Sequence, residues 1–413
     1  LIMLLVPFIT FDLRDGAFRF LIDKHSDLSH KDVLSYIIRT LTRNSVIVTI
    51  LSVIGYFYLS HLAYYPILIL LLIAFAFYEV MIQVVRGLGH TKLFVAIGII
   101  NTLLILALSL FFLVVLHWGV LSIFLANLIS RIISLGIIEA RLHLIPIYLR
   151  HRKEYNSQVG RDLLHYTLPL LPNVLAWWAI ESTSKLFINH YLGLEYNGIF
   201  AVAIKFSNIL QVAAGIFYQT WQETAIKEMH SPDHNRFFSR IFNNYFFLLS
   251  MTVILATLAL KLLYPYIVAD AYQESYIYIY PLFIAVLLHA MGSFLDLAYQ
   301  CSRKTYRGLP SIITTAIIAM LLYYFTVSKW QLAGISASLI ISYGYLMIYR
   351  LFDTRFAFHI KPDRMFIISI ILLIIGAFLS YAHIHPAIII AIIVIGTAAT
   401  GYYAISHIIT KKV

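Results

Sequence analysis

Cysteine is almost missing from this 413-residue chain. Cys301 stands alone, which excludes an internal disulfide, a thiolate metal cluster and a Cys-x-x-Cys redox pair. Charge is scarce too: 12% of the residues are Asp, Glu, Lys or Arg, against about 25% in a soluble domain. No glycine-rich phosphate loop is present, and most of the sixteen histidines fall near loop ends, as His25, His30, His61, His90, His230 and His234 do. They form no ligand-spaced pair on one helix; His383 and His385, alternating in a turn, come nearest to a metal motif. Neither an enzyme nor a metal or organic cofactor is expected. The opening LIMLLVPFITFDL has no basic start and no small-residue end, so it is not expected to be a secretory leader. The chain is expected to begin inside a membrane span, with an earlier first helix lacking.

What is present is apolar surface. The chain is 61% hydrophobic and 15% aromatic, with a mean hydropathy of +0.86, more than a water-soluble fold hides. Counting spans of about 20 apolar residues gives thirteen segments: 1–22, 33–59, 63–85, 93–116, 119–142, 163–190, 197–219, 241–264, 277–300, 309–327, 332–349, 365–382 and 386–409. The expected fold is therefore all-α, a polytopic membrane helix bundle. A net charge of +11 suggests nucleic acid at first, but the cations sit in short connections between apolar runs, where they report membrane orientation. Alternate connections carry twenty Lys and Arg, among them Lys24, Arg86, Arg152, Lys153, Arg350, Lys411 and Lys412, whereas the other set carries Lys329 alone. The basic set is assigned to the cytoplasm, together with the C-terminus, and no nucleic-acid partner is expected.

Polar groups inside the spans carry the functional reading, because an ionisable group in hydrocarbon is costly unless it meets a partner or water. In the sixth segment, bent by Pro169 and Pro172, Asn173, Trp177, Glu181 and Lys185 recur every four residues. The simplest role for the last two is a mutual ion pair. The seventh carries Lys205, Asn208, Gln211, Gly215, Gln219 and Gln222 at three- and four-residue steps. The first contributes Asp12, Arg14, Asp15 and Arg19, with Asp12, Asp15 and Arg19 on one helical face. Glu79 and Gln83, Asn127 and Arg131, and His289, Asp296 and Gln300 lie on the third, fifth and ninth, where interhelical bonding is the plainer role. Asp15 precedes Arg19, and Glu223 precedes Lys227, by one helical turn on equivalent ends six segments apart. That repeat fits two six-helix halves, a common transporter plan.

The run PLLPNVLAWWAIESTSKLFINHYLGLEYNGIFAVAIKFSNILQVAAGIFYQTWQETAIKE resembles the central signature of bacterial polysaccharide flippases, and LRDGAFRFLID resembles the end of that family's second helix. These flippases form the oligosaccharidyl-lipid branch of the multidrug/oligosaccharidyl-lipid/polysaccharide exporter superfamily. The resemblance implies two six-helix lobes around a central cavity plus a terminal pair: an N-terminal lobe over 1–149, a basic linker over 150–162, a second lobe over 163–352 and a two-helix extension over 353–413. It implies alternating access in the bacterial cytoplasmic membrane, moving an undecaprenyl-diphosphate-linked oligosaccharide to the outer leaflet for capsule, exopolysaccharide or O-antigen-like polymer. Membrane lipids, a polysaccharide polymerase and a chain-length regulator are the implied partners, with proton or sodium coupling left open.

On that reading Asp12, Arg14, Arg19, Asn173, Trp177, Glu181, Lys185, Lys205, Asn208, Gln211, Gln219 and Gln222 line the cavity. Asp15, Glu79, Arg131, Asp296 and Glu223 are the candidates for coupling or gating. Relatives often have an Asp-Arg pair where this chain has Ser184-Lys185. A cation-coupled drug exporter of the same superfamily remains an alternative, with Glu181 or Asp296 as the coupling acid. A membrane glycan transferase or polymerase would need a catalytic carboxylate on an outer loop, where Asp270 and Glu274 are the candidates.

Overall fold

Apolar chain in lipid has no water to satisfy its backbone, so helices that close their own hydrogen bonds are the expected solution. The computed structural model describes residues 2–22, 29–59, 64–151, 157–229, 231–404 and 406. Lys24, Arg152, Lys153, Lys411 and Lys412 of the orientation count, residues 152–156 of the expected linker, and His25, His61 and His230 lie outside the described residues. Among the described residues no strand occurs, and ten helices are long and apolar enough to cross a membrane. The protein is an all-helical, polytopic membrane protein. It divides into two units, Leu1–Leu175 and Ala176–Val413.

The first unit contains α1 (Ile2–Thr10), α2 (Leu13–Ile22), α3 (His30–Leu59), α4 (Tyr65–Gly87), α5 (Thr91–Leu110), α6 (Val120–Leu142), α7 (Leu144–His151) and α8 (Ser157–Thr167). The first apolar segment is thus two helices, broken where Phe11 and Asp12 take left-handed φ of 52° and 51°. Neither residue is glycine, so the break needs support from elsewhere. Asn44 of α3 supplies it by donating from Nδ2 to the freed Ile9 carbonyl at 2.7 Å. The break also ends the helical register that was expected to align Asp12 with Asp15 and Arg19.

α2 is central to this unit and almost wholly buried from Gly16 to Ile22. Its contact with α4 depends on Gly87, where a Cβ would stand 2.8 Å from Leu21 Cβ and 3.2 Å from the Ala17 carbonyl oxygen. Gly87→Leu is therefore expected to push α2 off α4 and cost about 1–3 kcal/mol, as overpacking commonly does. A thermal melt of the purified protein in detergent checks this, with Gly98→Leu as control, because nothing lies within 4 Å of a Cβ there.

The sixth segment is likewise interrupted, at Leu168 and Pro169, between α8 and α9 (Leu170–Tyr191). The second unit continues with α10 (Leu194–Glu228), α11 (His234–Ile267), α12 (Tyr276–Cys301), α13 (Leu309–Asp353), α14 (Arg364–Tyr381) and α15 (Pro386–Ala404). α13 is an antiparallel pair, because Gln331 leaves the helical region at φ 48°, ψ −132°. The arms meet pairwise, Thr326 with Ser338 at 3.0 Å, Thr314 with Tyr345 at 3.1 Å and Ser311 with Arg350 at 3.0 Å. Each pair sits about equally far from the turn, which matches the separate segments expected over 309–327 and 332–349.

Candidate functional site

Charged groups collect at the helix break of the first unit. Asp12 is buried, and its carboxylate makes no ion pair or hydrogen bond among the described residues; it lies in the field of Asp15 and Arg14. Arg14, half exposed, reaches Asp15 and Glu79 at 3.5 Å each, joining α2 to α4. Glu79 also acts electrostatically on Arg131 of α6. The Arg131 guanidinium lies 3.3 Å from the Phe75 ring centroid and donates to the Asn127 backbone and side-chain oxygens at 3.0 and 2.9 Å, while its Nε finds no partner. Asp12, Arg14, Asp15, Glu79 and Arg131 are thus brought into one electrostatic group spread over the break, α4 and α6. Arg19 is buried on α2, and Asn173, also in this unit, keeps a buried Oδ1 without a hydrogen-bond partner.

The second unit holds a tighter network. Arg350, 2% exposed, places Nη2 3.0 Å from Asp296 Oδ1 and donates Nε to Ser311 and Nη1 to the Gly292 carbonyl, each at 3.0 Å. Gln300 carries the network to α10, donating to Asp296 Oδ2 at 2.9 Å and to the Tyr218 hydroxyl at 2.8 Å, and accepting from Gln222 at 2.8 Å. Asp296 and Gln222 are thereby committed to bonds inside the unit. Glu223 and Lys227 form the acid-to-base pair expected from their spacing, at 2.6 Å. Further along α12, His289 pairs through Nδ1 with Gln211 at 3.2 Å and packs edge-on against Trp177, with Tyr343 5.3 Å away.

Four further members of the stripe are unspent. Glu181, Lys185, Lys205 and Asn208 are exposed, and among the described residues neither lysine nor Glu181 has an ion-pair partner. The Glu181 to Lys185 ion pair, the plainer alternative to a cavity role, does not form. Gln219 is exposed and bonded. Helices α9 and α10 meet at Leu192 and Gly193, so Glu181 and Lys205 each lie twelve residues from Gly193, about 18 Å along a helix and near the middle of a ~30 Å hydrocarbon layer. Lys185 is one turn closer. An ammonium group with no ion-pair partner among the described residues can take hold of an anion; Asn208 follows Lys205 by one helical turn, while the rings of Trp177 and Tyr343 pack around His289.

Sequence reasoning placed Arg350 in a connection and so missed its burial. The available signal was Asp296, since an acid within a span calls for a base. Phe75, Asn44 and Tyr343 carried no signal of their own. Among the described residues no group of three His, Cys, Asp or Glu could hold a metal ion.

The architecture is an all-helical membrane fold with charges of both signs at membrane depth. No protein-family model matches the chain, and no curated protein sequence does. Solved structures do. A multidrug resistance MATE family transporter of the MOP superfamily, captured facing outward, is similar at a TM-score of 0.71 and 16% identity over 86% of this chain and 84% of that one. The Vibrio cholerae MATE transporter VcmN is similar at 0.68 and 12% identity, over 88% and 89%. A MOP superfamily transporter from Pyrococcus furiosus, described as having a binding pocket of reverse polarity that suggests a different function, is similar at 0.68 and 14% identity over 86% and 84%. At these identities the likeness is one of fold: the chain has a MATE-like transporter fold.

Proposed function

We propose that this protein is a membrane transporter that carries an undecaprenyl-diphosphate-linked oligosaccharide from the cytoplasmic to the outer leaflet by alternating access, supplying a surface polymer. The observation that carries the reading is that Lys185 and Lys205 are both exposed at membrane depth and neither has an ion-pair partner among the described residues. A diphosphate supplies the missing negative charge, and Asn208 beside Lys205 suits a hydroxyl-rich saccharide. The MATE-like fold supports transport, and the resemblance of the stretch around these lysines to polysaccharide flippases supports the choice of cargo. Cytoplasmic placement of the basic connections belongs to the same proposal.

A second reading, a cation-coupled drug exporter, is favoured by Glu181, an exposed acid likewise without an ion pair whose field reaches the Tyr343 and Tyr323 hydroxyls. A carboxylate near aromatic rings suits a lipophilic cation. One reconstitution separates the two. In proteoliposomes the purified protein is expected to expose a fluorescent undecaprenyl-diphosphate disaccharide to a membrane-impermeant quencher and to leave ethidium in place. Ethidium movement without movement of the disaccharide would establish the drug exporter instead.

A further inference from the structure

Between α13 and α14, after one 3-10 turn over Thr354–Phe356, residues 358–363 form neither helix nor strand, and α11 grips them by their backbone. Asn235, Ser239 and Asn243 stand at four-residue intervals along one face of α11. The His359 amide donates to Asn235 Oδ1 at 2.8 Å, and the His359 carbonyl accepts from Ser239 Oγ at 3.3 Å. Two residues on, the Lys361 amide donates to Ser239 Oγ at 3.1 Å and its carbonyl accepts from Asn243 Nδ2 at 3.0 Å. The Asp363 amide then donates to Asn243 Oδ1 at 3.2 Å, and the Asp363 carboxylate caps α14 at Met365 and Phe366. Two of the alternate side chains face inward: Phe358 and Ile360 are buried, and Phe358 lies 4.2 Å from Phe238, centroid to centroid. Pro362, which has no amide hydrogen, falls where none is used.

The two helices beyond are fastened to the same partner. The Lys261 ammonium near the far end of α11 donates to the carbonyls of Leu379, Ser380 and Ala382 at 2.9, 2.9 and 2.5 Å, a cation placed on the negative end of α14. A Cβ at Gly376 would stand 2.7 Å from Ile254 Cγ1, and one at Gly396 would stand 2.7 Å from Leu255 Cδ2, so α14 and α15 both approach α11 closely. Tyr403 of α15 donates to Asn244 Oδ1 at 2.8 Å. Both ends of α14 and the length of α15 therefore answer to α11.

We propose that residues 358–363 are a strap through which α11 holds the last two helices as a stator, so that α14 and α15 travel with α11 and never swing away from it. The hold reads main chain and not side chains, so it tolerates change at His359 and Lys361 but not at Asn243, which is almost fully buried. That the strap persists during transport rests on the transport reading above; the strap itself does not.

Amide exchange tests the strap. In the full-length wild type the 359, 361 and 363 amides are expected to be protected, and Ser239→Ala with Asn243→Ala to speed their exchange at least about tenfold, since lost hydrogen bonds lower the local opening free energy. Exchange in the wild type as fast as in an unstructured peptide would overturn it. The stator is tested with Ile254→Cys and Gly376→Cys in a Cys301→Ser background, or with Leu255→Cys and Gly396→Cys should the first pair fail to fold. The oxidised, cross-linked protein is expected to move the disaccharide probe at an undiminished rate. A block by oxidation that reductant relieves would show that the helices must part. If the wild type moves no such probe, the transport reading fails, and exchange at 359–363, measured with the cross-linked protein alongside, still decides whether α11 holds the strap.

Discussion

Arg350→Ala is expected to destabilise the second unit by about 3–5 kcal/mol, the usual result of removing one partner from a buried ion pair. The loss comes less from the attraction removed than from what is left behind. Asp296 keeps its carboxylate inside the helix bundle, and Ser311 and the Gly292 carbonyl lose a donor at the same time. Gln300 then has to satisfy Asp296 while still holding Tyr218 and Gln222, so the damage reaches α10. Arg350→Lys keeps the charge but not the three-way fork, and should fall between wild type and Ala. The double variant Arg350→Met, Asp296→Leu removes both charges and is expected to recover most of the loss, because two apolar groups replace two desolvated ions. Thermal unfolding in detergent reads this directly: at roughly 2–4 °C per kcal/mol for a unit of this size, the Ala variant should melt on the order of 10 °C below wild type. An unchanged melting point would mean that Asp296 is hydrated, and Asp296 would again be open as a coupling acid.

The membrane class and the course of most helices were legible in the sequence because hydropathy and helix length are local quantities. Even the reversal at Gln331 was visible, since polar Lys329 interrupts two apolar runs. The break at Phe11 and Asp12 was not. It contains neither glycine nor proline, and what holds it open is Asn44, thirty-five residues along the chain from the Ile9 carbonyl that it caps. Arg350 failed for the opposite reason. It follows an apolar run, where a cation ordinarily faces the membrane surface, and only the position of Asp296 on another helix pulls it inside. The polar ladder of Asn235, Ser239 and Asn243 likewise has no signature until an extended segment more than a hundred residues later lies against it. The stripe of α9 and α10 was read correctly as polar, but spacing could not tell which members are spent. Gln211 and Gln222 are bound to α12, whereas Lys185, Lys205 and Glu181 have no ion pair among the described residues.

Those three free charges make the sharpest functional prediction. With Lys185→Gln and Lys205→Gln the proposed flippase is expected to lose about a hundredfold in the rate of disaccharide-diphosphate movement, since two charge-assisted hydrogen bonds to the cargo at about 1.5 kcal/mol each sum to roughly 3 kcal/mol. Folding should be untouched, because neither ammonium has an ion-pair partner to strand among the described residues, and unfolding temperature and membrane yield provide that control. Reversing the sign with Lys185→Glu and Lys205→Glu would leave Glu181 among acids alone. That variant is expected to reject the diphosphate altogether and to favour lipophilic cations, so ethidium movement becomes the positive readout. Glu181→Gln serves as the counter-test: it should spare the diphosphate cargo and, added to the reversed variant, weaken ethidium movement without abolishing it. Full disaccharide movement in the double Gln variant, at normal yield, would show that the lysines do not contact the cargo. The exposed charge at membrane depth would then point to Glu181 and a cationic substrate.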